Sequence, residues 1–80
     1  MHSHLVDAAA TTGVANAILG LAHAQGRTVQ DIHLGTKIPR TTLDRSLSGI
    51  RPFPTTELFA VAAYLGTTPE ELVASARRAA

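Results

Sequence analysis

Gly26, Gly49 and Gly66 each stand at the end of a run whose apolar residues recur at helical spacing, and a further run ends about Gly35. Glycine reaches the left-handed backbone conformation that closes a helix at little steric cost, so these positions cut the chain into short helices. In "TGVANAILGLAHAQG", about Thr12 to Gln25, Val14, Ile18 and Leu21 share one face and predict a first helix. Whether "HLVDAAAT" before it extends this helix or frays is open, because Gly13 weakens the middle by roughly 1 kcal/mol relative to Ala. Residues 1–11 are set apart for that reason. The second helix runs from Val29 to about Gly35, with Thr28 as cap, Asp31 near its positive end, and Ile32 inward beside Val29 or His33. "IPRTTLDRSLSG" opens with Pro39 at a first helical position and closes at Gly49, a third helix of about nine residues. "FPTTELFAVAAYLG" gives the fourth, capped by Thr55 or Thr56, with Leu58, Phe59, Ala62 and Leu65 inside. "TTPEELVASARRAA" gives the fifth: Thr68 caps, Pro69 leads, Glu71 takes the capping-box place, and Leu72 and Val73 point inward. The expectation is an all-α fold of five helices, one compact domain over residues 1–80, with "GIRPFP" as its rigid loop.

Eighty residues bury only about 60 to 65% of the surface they expose unfolded, so the core is thin and a large enclosed active site is not expected. The absence of cysteine excludes a disulfide framework and thiolate metal sites and agrees with a reducing setting. Thr, Gly, Asn and His interrupt every apolar stretch, and "MHSHLVDAAA" lacks the basic start of a secretory signal. A soluble, cytoplasmic protein with no membrane partner is expected.

The net charge of +1 hides an uneven distribution. Arg27, Lys37, Arg40, Arg45 and Arg51 face only Asp31 and Asp44 in the middle third, whereas the last third sets Glu57, Glu70 and Glu71 against Arg77 and Arg78. A local basic excess suits a polyanion, although a solvated face explains such charges as often. The third helix is more informative. At about 100° per residue, Leu43 and Leu47 stack on one side with Pro39 and Ser46 flanking. Thr41, Arg45 and Ser48 face outward, Thr42 and Asp44 lie toward the edges, and Arg40 projects at the N-terminal end. Arginine can donate to the guanine acceptors of a DNA major groove, and threonine can meet a base or a thymine methyl.

In their order and spacing, "TVQDIHLGTKIPRTTLDRSLSG", "RPFPTTELFAVAAYLG" and "TTPEELV" look like successive parts of one family. From about Val14 to Arg77 the chain resembles the Cro and lambda-repressor type of helix-turn-helix DNA-binding domain. The resemblance implies a lambda-repressor-like five-helix fold and a phage-type transcriptional repressor whose third helix reads a double-stranded operator, commonly as a homodimer. Carried over by position, Arg40, Thr41, Thr42 and Arg45 would contact bases. Thr28, Gln30, Lys37, Ser48, Arg51 and Thr55 would meet phosphates. Three positions depart from the family pattern. Lys37 replaces a glycine of the turn, so either it takes a left-handed conformation at about 1 to 2 kcal/mol or the turn differs. His33 replaces a small alanine, and would push the helices apart or tip its ring outward. Asp44 would repel phosphates unless it accepts from a cytosine amino group or pairs with an arginine such as Arg40, the reading favoured here.

Other chemistry is sparse. His2 and His4 form a His-x-His pair, and His23 and His33 lie on separate helices with no carboxylate at ligand spacing, so structural or incidental roles and no metal are expected. No Ser-His-Asp set, phosphate-cradling glycine loop or paired carboxylates occurs, so neither catalysis, nor a cofactor, nor a small-molecule substrate is expected. Phe59 is expected in the core and Phe53 over the loop between the third and fourth helices, while Tyr64 is either half-buried packing or part of a partner surface. Two rival readings keep the fold: an interaction module, such as an antitoxin or adaptor, and a DNA-bending recombination accessory.

Overall fold

The computed structural model describes the backbone of residues 2–79 and the side chains of residues 13–78. Helix α1 spans His2–Ala24, α2 Val29–Thr36, α3 Arg40–Leu47, α4 Thr55–Leu65 and α5 Pro69–Ala79, with no strand among the described residues. The backbone before Thr12 thus extends the first helix.

Three helices close on the expected glycines. Gly26, Gly49 and Gly66 have φ of 70°, 83° and 74°. Just beyond each, an amide reaches back to a carbonyl of the last turn: Arg27 to Ala22 at 2.8 Å, Ile50 to Arg45 at 3.0 Å and Thr67 to Ala62 at 2.9 Å. Helix α2 instead runs one residue past Gly35, and the left-handed residue that ends it is Lys37.

The helix starts divide. Thr28 and Thr68 cap as expected, each hydroxyl accepting at 3.1 Å from the amide three residues on. Glu71, however, turns its carboxylate to Arg78 at 3.3 Å. The proline starts correct the sequence reading. Pro39 (φ −55°, ψ 138°) and Pro54 (φ −60°, ψ 150°) stand outside their helices, their carbonyls accepting from Leu43 and Leu58 at 2.9 Å. Helix α3 therefore has eight residues, and Thr55 and Thr56 are already helical rather than caps.

Val14, Ala15, Ile18 and Ala22 of α1 form the centre of the core, joined by Ile32, Ile38, Leu43, Val61, Ala62, Leu65, Leu72 and Ala76. Helix α1 lies against α3, α4 and most extensively α5. Gly13 permits that approach, since a Cβ there would stand 3.0 Å from Ala76 Cβ. Two expectations for side chains fail. Phe59 is 54% exposed and Val61 is fully buried, because the packed stripe of α4 is Leu58, Val61, Ala62 and Leu65 while Phe59 shares an exposed stripe with Thr55 and Ala63. Val73, expected to be buried, packs against the core but is only half-buried. Ser46 is fully buried with its hydroxyl unpartnered among the described residues, an arrangement that costs about 1 to 3 kcal/mol. The radius of gyration, 11.8 Å, matches the roughly 12 Å of a compact chain this long. No described helix is long and apolar enough to cross a membrane.

The loop between α1 and α2 is fastened to the end of α4. Gln25 Nε2 donates to the Leu65 carbonyl and Arg27 Nη1 to the Tyr64 carbonyl, both at 2.7 Å, and the Arg27 guanidinium lies 4.5 Å from the Tyr64 ring centre. Gly35 packs against the same ring, where a Cβ would overlap Cε1 and Cδ1. Gly35→Ala should lower stability by about 1 to 3 kcal/mol, although alanine is the better helix former by about 1 kcal/mol. Gly20→Ala, in α1 with open space around it, should instead raise stability by about 0.5 to 1 kcal/mol. Urea midpoints moving the same way in both variants would overturn this account of Gly35.

Candidate functional site

Between α2 and α3 the chain makes a tight turn whose construction decides what α3 presents. Thr36 Oγ1 donates to the Ile32 carbonyl at 2.7 Å and accepts from the Ile38 amide at 3.3 Å. The Lys37 amide donates to the His33 carbonyl at 2.9 Å, and His33 Nδ1 lies 2.6 Å from the Ile38 carbonyl. Read as an Nδ1–H donor, His33 ties the end of α2 to the entry of α3. The Lys37 alternative is thereby resolved, and His33 takes a role that neither of its two alternatives named. The imidazole bonds to the turn backbone, and Lys37 takes the left-handed conformation, φ 63° and ψ 14°. Buried Ile38 anchors the turn from beneath. Lys37→Gly should stabilise the protein by about 1 kcal/mol, by removing a Cβ from a conformation that penalises it. An unchanged or lower urea midpoint would contradict the assigned strain.

At the start of α2 the cap is reciprocal: Thr28 N donates to Asp31 Oδ2 at 2.8 Å while Thr28 Oγ1 accepts from Asp31 N. Bonds from the Thr28 amide and then its hydroxyl, with the Arg27 charge adding a smaller effect, hold the Asp31 carboxyl below its ordinary range against a weaker opposing push from burial. This helix end already carries its own carboxylate, so an external anion would have to compete with Asp31.

Helix α3 buries Leu43 and Ser46, half-buries Thr42 and Leu47, and exposes Arg40, Thr41, Asp44 and Arg45, and Ser48 is exposed just past its end. Arg40 is held on two sides. Its Nε donates to Asp44 Oδ1 at 3.0 Å, and its Nη1 to Gln30 Oε1 of α2 at 2.7 Å. The favoured partner of Asp44 is thus present. Arg45 makes no ion pair among the described residues. Ser48 donates back to the Arg45 carbonyl at 3.1 Å. Beyond the helix, half-buried Arg51 pairs with Glu57 at 3.4 Å, and Thr55 is exposed on the first turn of α4.

The six residues Gln30, Lys37, Arg40, Thr41, Arg45 and Ser48 are each exposed along α2, the turn, and α3 with its C-terminal cap. Thr28 and Arg51 are already engaged in a cap and an ion pair. The arrangement provides two arginines, one lysine and two hydroxyls to an external acceptor surface, and one carboxylate against it. No group of three or more His, Asp or Glu side chains capable of holding a metal occurs among the described residues; those of His2 and His4 lie outside them. The Gln30 bond to Arg40, the His33 bond to the turn, and the Gln25 and Arg27 bonds to α4 escaped the sequence reading. Each joins residues that helical spacing does not relate. No protein-family model, curated protein or solved structure matches the chain.

Proposed function

We propose that the chain is a small sequence-specific DNA-binding protein, a transcriptional repressor of Cro type, that places α3 in the major groove of an operator. One observation carries the reading: the α2–turn–α3 unit presents an outward face of Arg40, Thr41 and Arg45 from a helix whose other side is buried. Eight residues make a helix about 12 Å long, close to the roughly 12 Å width of the major groove. Arg40 and Arg45 do most of the base reading, with Thr41 and Thr42 beside them. Lys37, exposed at the turn, and the neighbouring Ser48 meet phosphates, and Arg51 does so only by exchanging Glu57 for DNA. A helix this short offers few contacts, so tight binding calls for a second copy on a half-site about 34 Å away.

A second reading draws on Leu34, Ile50 and Phe59, which are 64%, 69% and 54% exposed. Large apolar side chains left in water suit a protein partner, as in an antitoxin or adaptor. Selection of bound duplexes from a random pool, then titration of the winner in rising salt, separates the two. A palindromic consensus and a linear fall of log affinity with log salt are expected for the repressor. No consensus would favour the interaction module, and a monomer in sedimentation on a two-half-site duplex would sink the homodimer. A consensus that is strongly bent when bound would favour the recombination accessory.

A further inference from the structure

Arginine carries large side-chain rotamer entropy, and an exposed arginine meeting a base must give most of it up. Arg40 is already restrained. Asp44, one turn further along α3, accepts from Nε, and Gln30, across the turn on α2, accepts from Nη1. The Arg40 and Asp44 side chains are 46% and 54% exposed, so their ion pair contributes little to the fold. Two acceptors converge from separate helices on one guanidinium that stands on the outward face, and three of its five N–H donors stay open, both of those on Nη2 among them. Guanine offers two adjacent acceptors, N7 and O6, to such a group.

Resting on the DNA-binding reading above, we infer that Gln30 and Asp44 are positioning residues that fix Arg40 in advance as the reader of one guanine in each half-site. Asp44 then trades general attraction for discrimination. Its charge opposes the phosphates, while its bond to Nε holds the guanidinium where only one base pair satisfies the remaining donors. A carboxylate that reads cytosine directly would leave a different record, because its loss would relax a base pair other than the one Arg40 reads.

The test measures binding of wild type, Arg40→Ala, Asp44→Asn, Gln30→Ala and the Arg40→Ala/Asp44→Asn double variant to the selected duplex, to its single base-pair variants and to random DNA. Urea midpoints confirm that each is folded. For Asp44→Asn the expected result is opposite signs: random DNA bound more tightly, and guanine preference reduced about 3- to 10-fold at the base pair that Arg40→Ala relaxes. Gln30→Ala should relax the same position without tightening random DNA, and the double variant should discriminate no worse there than Arg40→Ala alone. Unchanged preference in both Asp44→Asn and Gln30→Ala, or a loss at another base pair, overturns the inference and leaves the DNA reading standing. A wild type without sequence preference overturns both, and the failing step is then the DNA reading itself.

Discussion

Leu43→Ala should cost about 2 to 5 kcal/mol, the range for deleting three buried carbons from a well-packed site. For an 80-residue chain whose whole stability is of order 4 to 12 kcal/mol, that is at least about a sixth of the total and can approach all of it. Leu43 is fully buried on the inner side of α3, in one cluster with Ile18, Ile32, Ile38 and Val61. Ile18 comes from α1, Ile32 from α2 and Val61 from α4, so α3 shares its core cluster with three other helices. Little can collapse into the space it would leave, because those neighbours are held by their own helices. At about 4 to 8 °C per kcal/mol, the melting temperature followed by circular dichroism should fall by at least about 8 °C. Leu47→Ala, at a half-buried position of the same helix, should cost distinctly less. A Leu43→Ala loss below about 1 kcal/mol would mean that α3 is not seated as described, and its outward face would lose its fixed orientation.

That orientation is largely legible in the sequence, and the reasons are local. Helical period places Leu43 and Leu47 on one side of a helix and Arg45 on the other without reference to any neighbour. The left-handed closures at Gly26, Gly49 and Gly66 are equally local, a property of one residue's missing Cβ. Features that depend on a distant approach are not legible in this way. Phenylalanine outranks valine on any hydrophobic scale, yet α1, α2 and α5 approach α4 on the Val61 side and leave Phe59 in water. Gly35 reads as the end of a helix, but its role is set by Tyr64, which reaches it through the fold. Gln25 and Arg27 cap carbonyls 40 and 37 residues away.

The candidate site divides along the same line. The pairing of Arg40 with Asp44 follows from one helical turn of spacing and is visible in the residues. The Gln30 bond to Arg40 crosses the turn, so it exists only because Lys37 accepts a left-handed conformation and brings α2 and α3 to a particular angle. Glycine at position 37 would be expected from strain alone. What a lysine there adds is a cation at the edge of the exposed face. The strain of about 1 to 2 kcal/mol is opposed by the bonds that Thr36, His33 and Ile38 make within five residues of one another.

Arg45→Ala is the substitution that most directly tests the proposed repressor. It should weaken binding to the selected duplex by about 1 to 3 kcal/mol, roughly 5- to 150-fold, and erase preference at one base pair. Arg45 is exposed, carries its charge without an internal ion pair among the described residues, and lies opposite Leu43 on α3, so removing it should leave the urea midpoint nearly unchanged. Lys37→Gly supplies the contrast. It should weaken selected and random duplexes alike and reduce the salt slope by about 1, while making the protein more stable. Arg51→Ala should affect binding less than either, because Glu57 already neutralises that side chain. Measured at two or more salt concentrations, the three variants separate base reading from phosphate contact. Equal losses on selected and random DNA for Arg45→Ala would remove it from the base-reading face and leave only electrostatic attraction to a polyanion, which a basic surface supplies without any groove.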